Sequence, residues 1–178
     1  MQNNFEASLS KLLAHEGGWS DHPSDPGGAT MKGVTLEVFR EFKRNPHLTK
    51  DDLRNISDED IRAIYKKRYW DAARADELVS GLDYCVFDCA VNSGPGRAIK
   101  LLQSCVGTTP DGGFGPTTMA AVAQFQGDVA KTLIKEYCEK RLDFLKSLRT
   151  FAVFGKGWER RVNEVEKTAL EMLELNRG

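Results

Sequence analysis

A segment rich in glycine and proline near the N-terminus constrains the fold of this chain more than any other. Between Glu16 and Thr35 lie five glycines and two prolines, a content that no long helix tolerates. At residues 25–28, Asp-Pro-Gly-Gly combines a proline that presets φ with glycines that supply positive φ, which is typical of a tight turn. We therefore expect a small β-hairpin or turn-rich flap, folded back over the end of the preceding helix. The alternative is a flexible surface loop.

The helix before this segment is predicted to carry a glutamate at its C-terminal end. Phe5, Leu9 and Leu12 recur at helical spacing, and the same spacing continues to Glu16, on or beside the inward-facing side. The two glycines that follow then end the helix. Partial burial and the negative end of the helix dipole both favour a protonated carboxyl group, as a general acid requires. The alternative is a surface glutamate that happens to end a helix.

The rest of the chain is predicted to be helical, with short polar breaks. Helix N-caps are expected at Thr35, at either Thr49 or Ser57, and at Asp128. The most apolar stretch, residues 81–93, is expected to form the central helix. Amphipathic patterns predict further helices at residues 36–42, 57–70, 97–106, 116–125 and 128–148. The glycines at positions 155 and 157 are expected to interrupt the chain before a last helix that starts near Trp158.

Composition and charge exclude several classes of function. The 178 residues carry a net charge of −1, so no strong field favours a nucleic-acid or anionic-membrane partner. No apolar run approaches the roughly 18–20 residues of a membrane span. The four cysteines do not form a zinc pattern, and Cys85 and Cys89, one helical turn apart, fit small buried apolar positions of a reduced protein. His15 and His22 lie near Asp21 and Asp25, but their irregular spacing argues against a metal site, and we expect no metal and no cofactor.

Several ordered blocks of the sequence resemble one known family. The first three are Glu-Gly-Gly-Trp from residue 16, Asp-Pro-Gly-Gly-Ala-Thr from residue 25 and Gly-Val-Thr from residue 33. Further blocks follow at residues 64–71, 86–94, 111–117, 157–158 and 161–162. Together they resemble glycoside hydrolase family 108, the N-acetylmuramidases of phage endolysins and of bacterial proteins linked to secretion. The resemblance implies an all-α, lysozyme-like fold in which Glu16 is the catalytic acid.

The resemblance also suggests catalytic partners for Glu16. Asp25 lies nine positions after Glu16, and Thr30 lies five after that. This resembles the Glu, Asp, Thr order of the catalytic residues in phage-type lysozymes. The threonine of those enzymes usually falls one residue later, so Thr35 remains the alternative to Thr30. Asp21 is the rival second carboxylate, and both alternatives are otherwise candidates for substrate binding.

Two residues farther along the chain are also candidates for substrate binding. Tyr69 belongs to an aromatic cluster that could stack on sugar rings, although core packing is the alternative. Asn92 is expected at a helix end, where its side chain could bind a substrate amide or could cap the turn.

The second half of the chain carries a motif of its own. Asp-Gly-Gly-Phe-Gly-Pro-Thr at residues 111–117 resembles the core of peptidoglycan-binding repeats. The alternative is a structural turn with Pro116 at the start of a helix. We therefore predict a muramidase part at residues 1–93 and a peptidoglycan-binding-like part at residues 94–178, packed together as one compact unit.

These observations predict a lysozyme-like N-acetylmuramidase, an antimicrobial enzyme that lyses bacteria as endolysins do. The alternatives are a lytic transglycosylase, which needs only one acid, and a noncatalytic wall-binding helper of secretion. The expected partner is bacterial peptidoglycan, and the protein is expected to be a monomer that binds no nucleic acid and does not insert stably into membranes. The N-terminus lacks the pattern of a secretory signal, so we expect synthesis in the host cytoplasm and release through a holin or a secretion route.

Overall fold

Most of the chain is helical, and a small antiparallel sheet follows the first helix. The computed structural model describes residues 4–24 and 27–177, which fall into two units. The first unit comprises Phe5–Arg68, and the second comprises residues 69–177 together with Asn4. This architecture confirms the predicted all-α, lysozyme-like fold with a β-hairpin after the first helix.

The helices and strands of the first unit are short. In chain order they are α1 (Phe5–His15), β1 (Trp19–Ser20), β2 (Thr30–Met31), β3 (Val34–Thr35), α2 (Leu36–Lys43), α3 (Lys50–Arg54) and α4 (Asp58–Tyr65). The side chains of Thr35, Thr49 and Ser57 each accept a hydrogen bond from a backbone N–H in the first turn of the helix that follows. The N-cap at Thr35 is confirmed, and Thr49 and Ser57, which were alternatives in the sequence, both cap a helix. Local side-chain chemistry therefore sets where α2, α3 and α4 begin.

The sheet of the first unit is antiparallel, with its strands in the order β1-β2-β3. A two-residue turn joins β2 to β3, and both of its residues, Lys32 and Gly33, have positive φ, 49° and 82°. Two consecutive positive φ values are typical of a type I′ turn, whose twist matches that of the flanking strands. The turn fixes the register of the hairpin, so Thr30 lies directly opposite Thr35.

The second unit is built around one buried helix. A π-helical stretch (Lys66–Asp71) and a 3-10 turn (Ala75–Glu77) precede α5 (Leu82–Ser93), α6 (Pro95–Val106), α7 (Pro116–Val122), α8 (Asp128–Lys146) and α9 (Phe151–Leu175). Every residue of α5 from Leu82 to Ala90 is buried, and α5 packs against α6, α8 and α9. The prediction that residues 81–93 form a central helix is confirmed for this unit. In the described part of the chain, no helix combines the length and the apolarity that crossing a bilayer requires.

Two predictions about the second unit are wrong. Where the sequence predicts an interruption, α9 runs without a break through Gly155 and Gly157. The ring of Phe151 lies 2.8 Å from the position that a Cβ of residue 155 would occupy, so Gly155 makes room for packing inside the helix. Burial of one face along the 25 residues of α9 outweighs the roughly 1 kcal/mol that each glycine costs relative to alanine. Asp128 is the first residue of α8, and the cap is Gly127.

A buried ionic cluster holds three helices of the second unit together. Asp88 on α5 is fully buried and accepts hydrogen bonds from Arg141 on α8 at 2.7 Å and from Arg161 on α9 at 2.9 Å. Burial alone would raise the pKa of Asp88, but the charges of the two guanidinium groups outweigh it and hold that pKa below its usual value. Asp88 is therefore ionised at neutral pH, and the cluster fixes how α5, α8 and α9 pack.

A second buried carboxyl group, that of Asp83, has the opposite shift. It accepts hydrogen bonds from the backbone N–H groups of Gly81 and Tyr84 and from the side chain of Asn4. Burial raises the pKa of Asp83 to about 6 against the lowering effect of these hydrogen bonds, and the negative charge of Asp76 adds to the rise. Ionisation of Asp83 near neutral pH therefore destabilises the fold.

Asp83→Asn should make the stability of the protein less dependent on pH. The folded protein holds the Asp83 proton up to about pH 6, whereas an ordinary aspartate releases it near pH 3.8. The stabilising contribution of the protonated group is therefore full below pH 3.8 and is lost as the pH rises through about 6. The loss is on the order of 2–3 kcal/mol. Urea unfolding at a series of pH values measures it.

The exposed residue Asp143 supplies the control for this prediction. The loss of stability with rising pH should appear in the wild type and in Asp143→Asn, and it should be much smaller in Asp83→Asn. An equal loss in all three proteins would contradict the role assigned to Asp83.

Candidate active site

Glu16 follows directly after the last residue of α1 and is half-buried. Its backbone N–H donates to the carbonyl of Leu13 at 3.2 Å, which continues the last turn of the helix by one residue. The chain then passes through two glycines into β1, which begins at Trp19. The carboxyl group is thus held at the C-terminal end of α1, which is the position that the sequence predicts.

The turn between β2 and β3 lies against the carboxyl group of Glu16. A Cβ built on Gly33 would lie 3.1 Å from Oε2 of Glu16 and 2.5 Å from Oη of Tyr65, so both side chains reach the same small space beside the glycine. Tyr65, on α4, is 1% exposed, and its hydroxyl donates to the carbonyl of Lys32 at 2.7 Å. The hydrogen bond of Tyr65 therefore holds the turn in place. Because Gly33 has no side chain, the backbone of the turn can lie close to the carboxyl group of Glu16.

The contact between Glu16, Gly33 and Tyr65 was not predictable from the pattern of the sequence. Gly33 belongs to the Gly-Val-Thr block, but nothing in that block indicates which side chain its backbone approaches. Tyr65 fits the inward face of α4 at helical spacing with Ile61, as any core residue would.

Gly33→Ala should lower the activity of the site strongly. The added methyl group would collide with the buried Tyr65 hydroxyl and press on the Glu16 carboxyl group, and φ of +82° is itself strained for alanine. If Glu16 has its predicted role as the catalytic acid of a peptidoglycan hydrolase, the rate of cleavage should fall at least about tenfold, since small displacements of catalytic groups are costly. The rate is measured on purified peptidoglycan and divided by the folded fraction, taken from circular dichroism.

Gly28→Ala is the matched control for this variant. Gly28 also has a positive φ, +70°, but among the described residues a Cβ there would meet nothing within 4 Å. It therefore shares the backbone strain and lacks the collision. If the two variants cleave peptidoglycan equally well, the contact around Gly33 has no role in the site.

Three hydroxyl side chains line up across the sheet. Ser20 pairs with Thr30, and Thr30 pairs with Thr35, so these side chains point to the same face. The hydroxyl of Thr35 accepts the N–H of Val38 at 3.1 Å and caps α2. In the parts of the chain that the structure describes, the hydroxyl of Thr30 has no such protein partner.

Two cationic side chains of α3 lie beside β1. Lys50 forms an ion pair with Asp21 at 3.2 Å, and the guanidinium group of Arg54 lies 5.6 Å from the ring centre of Trp19. Asp21, the rival second carboxylate, is therefore engaged by a lysine. Asp25, the other candidate for that role, lies outside the described residues.

Comparisons with known proteins identify the family. Residues 9–94 match the family model described as glycosyl hydrolase 108, and residues 97–163 match the one described as a predicted peptidoglycan domain. The solved structure of SagA from Brucella abortus is 38% identical to this chain, with 97% of each chain covered and a TM-score of 0.86. The chain belongs to glycosyl hydrolase family 108. No curated protein shows significant similarity to it.

Membership of family 108 confirms the resemblance seen in the sequence. It makes the protein a glycoside hydrolase, and the second matched domain identifies peptidoglycan as the polymer on which it acts. The two family models divide the chain between residues 94 and 97, whereas the structural units divide after Arg68. The predicted domain boundary after residue 93 stays a prediction.

Two candidate substrate-binding residues of this family 108 chain belong to the second unit. Tyr69 lies in the π-helical stretch, half-buried against the hydrophobic core of that unit. Asn92 is exposed near the end of α5, and its side-chain oxygen accepts a hydrogen bond from the hydroxyl of Ser93 at 3.4 Å. Their roles in substrate binding stay predictions.

The Asp-Gly-Gly-Phe-Gly-Pro motif is organised around the buried side chain of Gln103 on α6. The amide nitrogen of Gln103 donates to the carboxylate of Asp111 and to the carbonyl of Gly113, and its oxygen accepts from the N–H of Gly112, each at 2.9 Å. Hydrogen bonds from the backbone N–H of Gly113 and from Gln103 hold the pKa of Asp111 below its usual value. These polar groups of the motif are therefore used in hydrogen bonds that hold the loop against α6, which favours the interpretation of the motif as a structural turn.

Proposed function

We propose that this peptidoglycan hydrolase is an N-acetylmuramidase, which cleaves the β-1,4 bond between N-acetylmuramic acid and N-acetylglucosamine. The observation that carries the proposal is the setting of Glu16. Its carboxyl group lies half-buried at the end of α1, with the backbone of Gly33 and the hydroxyl of Tyr65 beside it. A carboxyl group held at a helix end beside a fixed turn can be positioned against a glycosidic oxygen as its general acid.

In the proposed mechanism, Glu16 donates its proton to the glycosidic oxygen as the bond to C1 of muramic acid breaks. The sugar ring carries positive charge in an oxocarbenium-like transition state. A water molecule attacks C1 and loses a proton to a base, which leaves a new reducing end. Asp25 is the proposed second carboxylate. Asp21, which forms an ion pair with Lys50, is the alternative.

Thr30 is proposed to hold the attacking water. It lies between Ser20 and Thr35 in the row of hydroxyl groups, and the Thr35 hydroxyl is already engaged as the cap of α2. The remaining candidates, Thr35, Asp21, Tyr69 and Asn92, are proposed to contact the substrate.

A lytic transglycosylase is the second candidate function. That reaction needs one acid/base group and no second carboxylate, because the C6 hydroxyl of muramic acid replaces water and closes a 1,6-anhydro ring. The engagement of Asp21 by Lys50 favours this candidate, since it occupies one of the two possible partners of Glu16.

Product analysis distinguishes these functions. Purified peptidoglycan is digested with the protein, the new chain ends are reduced with borohydride, and the fragments are identified by mass spectrometry. Reduced muramic acid at the new ends supports the muramidase. Reduced glucosamine would indicate cleavage at the other glycosidic bond, and 1,6-anhydro ends would indicate a lytic transglycosylase. Sedimentation with the wall without new ends would leave only a binding protein.

The proposed biological role is to open the bacterial wall, either in bacteriolysis by an endolysin or locally during secretion. The protein is proposed to be made in the cytoplasm as a monomer and to reach the wall through a holin or a secretion route.

A further inference from the structure

The second unit contains a cavity of about 580 Å³ beside the 3-10 turn, the start of α5 and the end of α9. All of the described residues that line it belong to this unit, whereas Glu16 belongs to the first. Its volume is within the range of sites that hold small molecules. The side chain of Glu77 in its wall is 41% exposed and Asp83 is 3% exposed, so the cavity leads from the surface to a buried carboxyl group.

Two carboxyl groups in the wall can accept further hydrogen bonds. One oxygen of Asp76 accepts the indole N–H of Trp70 at 2.8 Å. One oxygen of Asp83 accepts two backbone N–H groups, and the other, Oδ2, accepts the side-chain N–H of Asn4 at 2.9 Å. Because each oxygen of a carboxylate can accept two hydrogen bonds, both groups can still take a donor from a molecule in the cavity.

The charge of the cavity wall is negative. Asp76, Glu77 and Asp83 all line it. Among the described lining residues, the one cationic side chain is that of Arg177, which already pairs with Asp128 at 2.9 Å. The charge of Asp76 raises the pKa of Asp83, so the two carboxyl groups lie within electrostatic range of each other. A cation between them would offset both their repulsion and the cost of ionising a buried group, and the cavity therefore favours a positively charged ligand.

The size and the apolar part of the wall favour an organic cation over a metal ion. The volume is many times that of a single ion, and the wall includes the side chains of Trp70, Leu78 and Leu173. Methylene groups suit such a surface, and an ammonium group supplies three donors to carboxylates. Because one carboxyl group lies at the buried end and that of Glu77 lies near the surface, two ammonium groups joined by a methylene chain match the wall best.

We propose that this cavity binds a linear diamine, with one ammonium group at Asp76 and Asp83 and the other near Glu77. The methylene chain between the two ammonium groups lies against the apolar part of the wall. The proposal does not rest on the proposed function, because no residue of the first unit takes part in it.

Titration of the full-length protein with 1,4-diaminobutane, followed by calorimetry at constant ionic strength, tests the site. One diamine should bind per chain, with a Kd below about 1 mM. Asp76→Asn and Asp83→Asn each remove a charge and keep the shape of the side chain, so each should weaken binding at least about tenfold. Asp76 is exposed, so its variant should fold even if Asp83→Asn does not. Asp143→Asn, at an exposed position outside the cavity, should bind as the wild type does.

The affinity of the wild type for the diamine should rise about tenfold between about pH 5 and about pH 7.5. An ammonium group binds the ionised form of Asp83, and the free protein holds that proton up to about pH 6. The charged groups that line the cavity with Asp83 are those of Asp76, Glu77 and Arg177. Asp83→Asn leaves all three in place and should lose this rise.

Four results would overturn the inference. They are no saturable binding of 1,4-diaminobutane, equal binding by the two cavity variants and Asp143→Asn, an affinity of the wild type that does not change with pH, and equally tight binding of the uncharged butane-1,4-diol. Displacement of the diamine by an equal concentration of Mg²⁺ would assign the carboxylates to a metal ion and would overturn it as well. None of these measurements depends on cleavage, so failure of the proposed function would leave their outcome unchanged.

Discussion

Glu16→Gln is expected to lower the rate of peptidoglycan cleavage by at least about 100-fold, the usual contribution of a positioned general acid. Glutamine keeps the size and shape of the side chain but has no acidic proton to give to the leaving oxygen. Because Glu16 lies beyond the end of α1 and is only half-buried, the helix and the sheet should tolerate the change. The rate is measured as the release of soluble fragments from purified peptidoglycan, and the fold is checked by circular dichroism.

Glu6→Gln is the matched control for this variant. Glu6 lies on the same helix, is exposed and forms an ion pair with Arg62, so its substitution removes a carboxylate of α1 without touching the turn at Gly33. It should cleave peptidoglycan at close to the wild-type rate. A folded Glu16→Gln protein that is as active as Glu6→Gln would show that Glu16 is not the acid.

Asp88→Ala is expected to cause the largest loss of stability, about 3–5 kcal/mol, because it removes one partner of a buried ion pair. Arg141 is only 2% exposed, so its charge would remain buried without its carboxylate. The wild-type pKa of Asp88 lies below its usual value because the charges of Arg141 and Arg161 outweigh burial. The stabilising effect is therefore present above the ordinary aspartate pKa of 3.8 and is lost as the pH falls through the lower folded-state value. Urea unfolding at neutral and acidic pH measures both effects.

Glu77→Ala provides the comparison for an exposed ion pair in the same unit. It removes a contact of 3.5 Å with Arg74 in which both side chains are more than 40% exposed. Such pairs contribute less than about 1 kcal/mol. If Asp88→Ala costs no more than Glu77→Ala at neutral pH, the cluster does not stabilise the packing of α5, α8 and α9.

The features of the fold that the sequence predicts are those determined by neighbouring residues. The N-caps at Thr35, Thr49 and Ser57 depend on a side chain and the first turn after it. The interruption wrongly predicted at Gly155 shows the limit of such reasoning. Local propensity disfavours a helix there, but the packing of α9 against α5 and α8, which are distant in the sequence, outweighs it.

In the candidate site, too, the features set by neighbouring residues were predictable and those set by distant residues were not. The position of Glu16 at a helix end follows from apolar spacing and the two glycines after it. The approach of Gly33 and Tyr65 to its carboxyl group depends on α4, which begins 42 positions later at Asp58. The role of Gln103 was not predictable either. Nothing in the sequence of α6 indicates that the Asp-Gly-Gly-Phe-Gly-Pro loop forms hydrogen bonds with this residue.

Digestion of peptidoglycan in water enriched in ¹⁸O tests the central claim most directly, with wild type and Glu16→Gln treated in parallel. Hydrolysis at muramic acid places one oxygen from water at C1 of each new reducing end. The proposed mechanism therefore predicts ¹⁸O-labelled muramic acid ends in the wild-type digest and almost none with Glu16→Gln. Unlabelled 1,6-anhydro ends, or labelled ends formed equally fast by the variant, would contradict it.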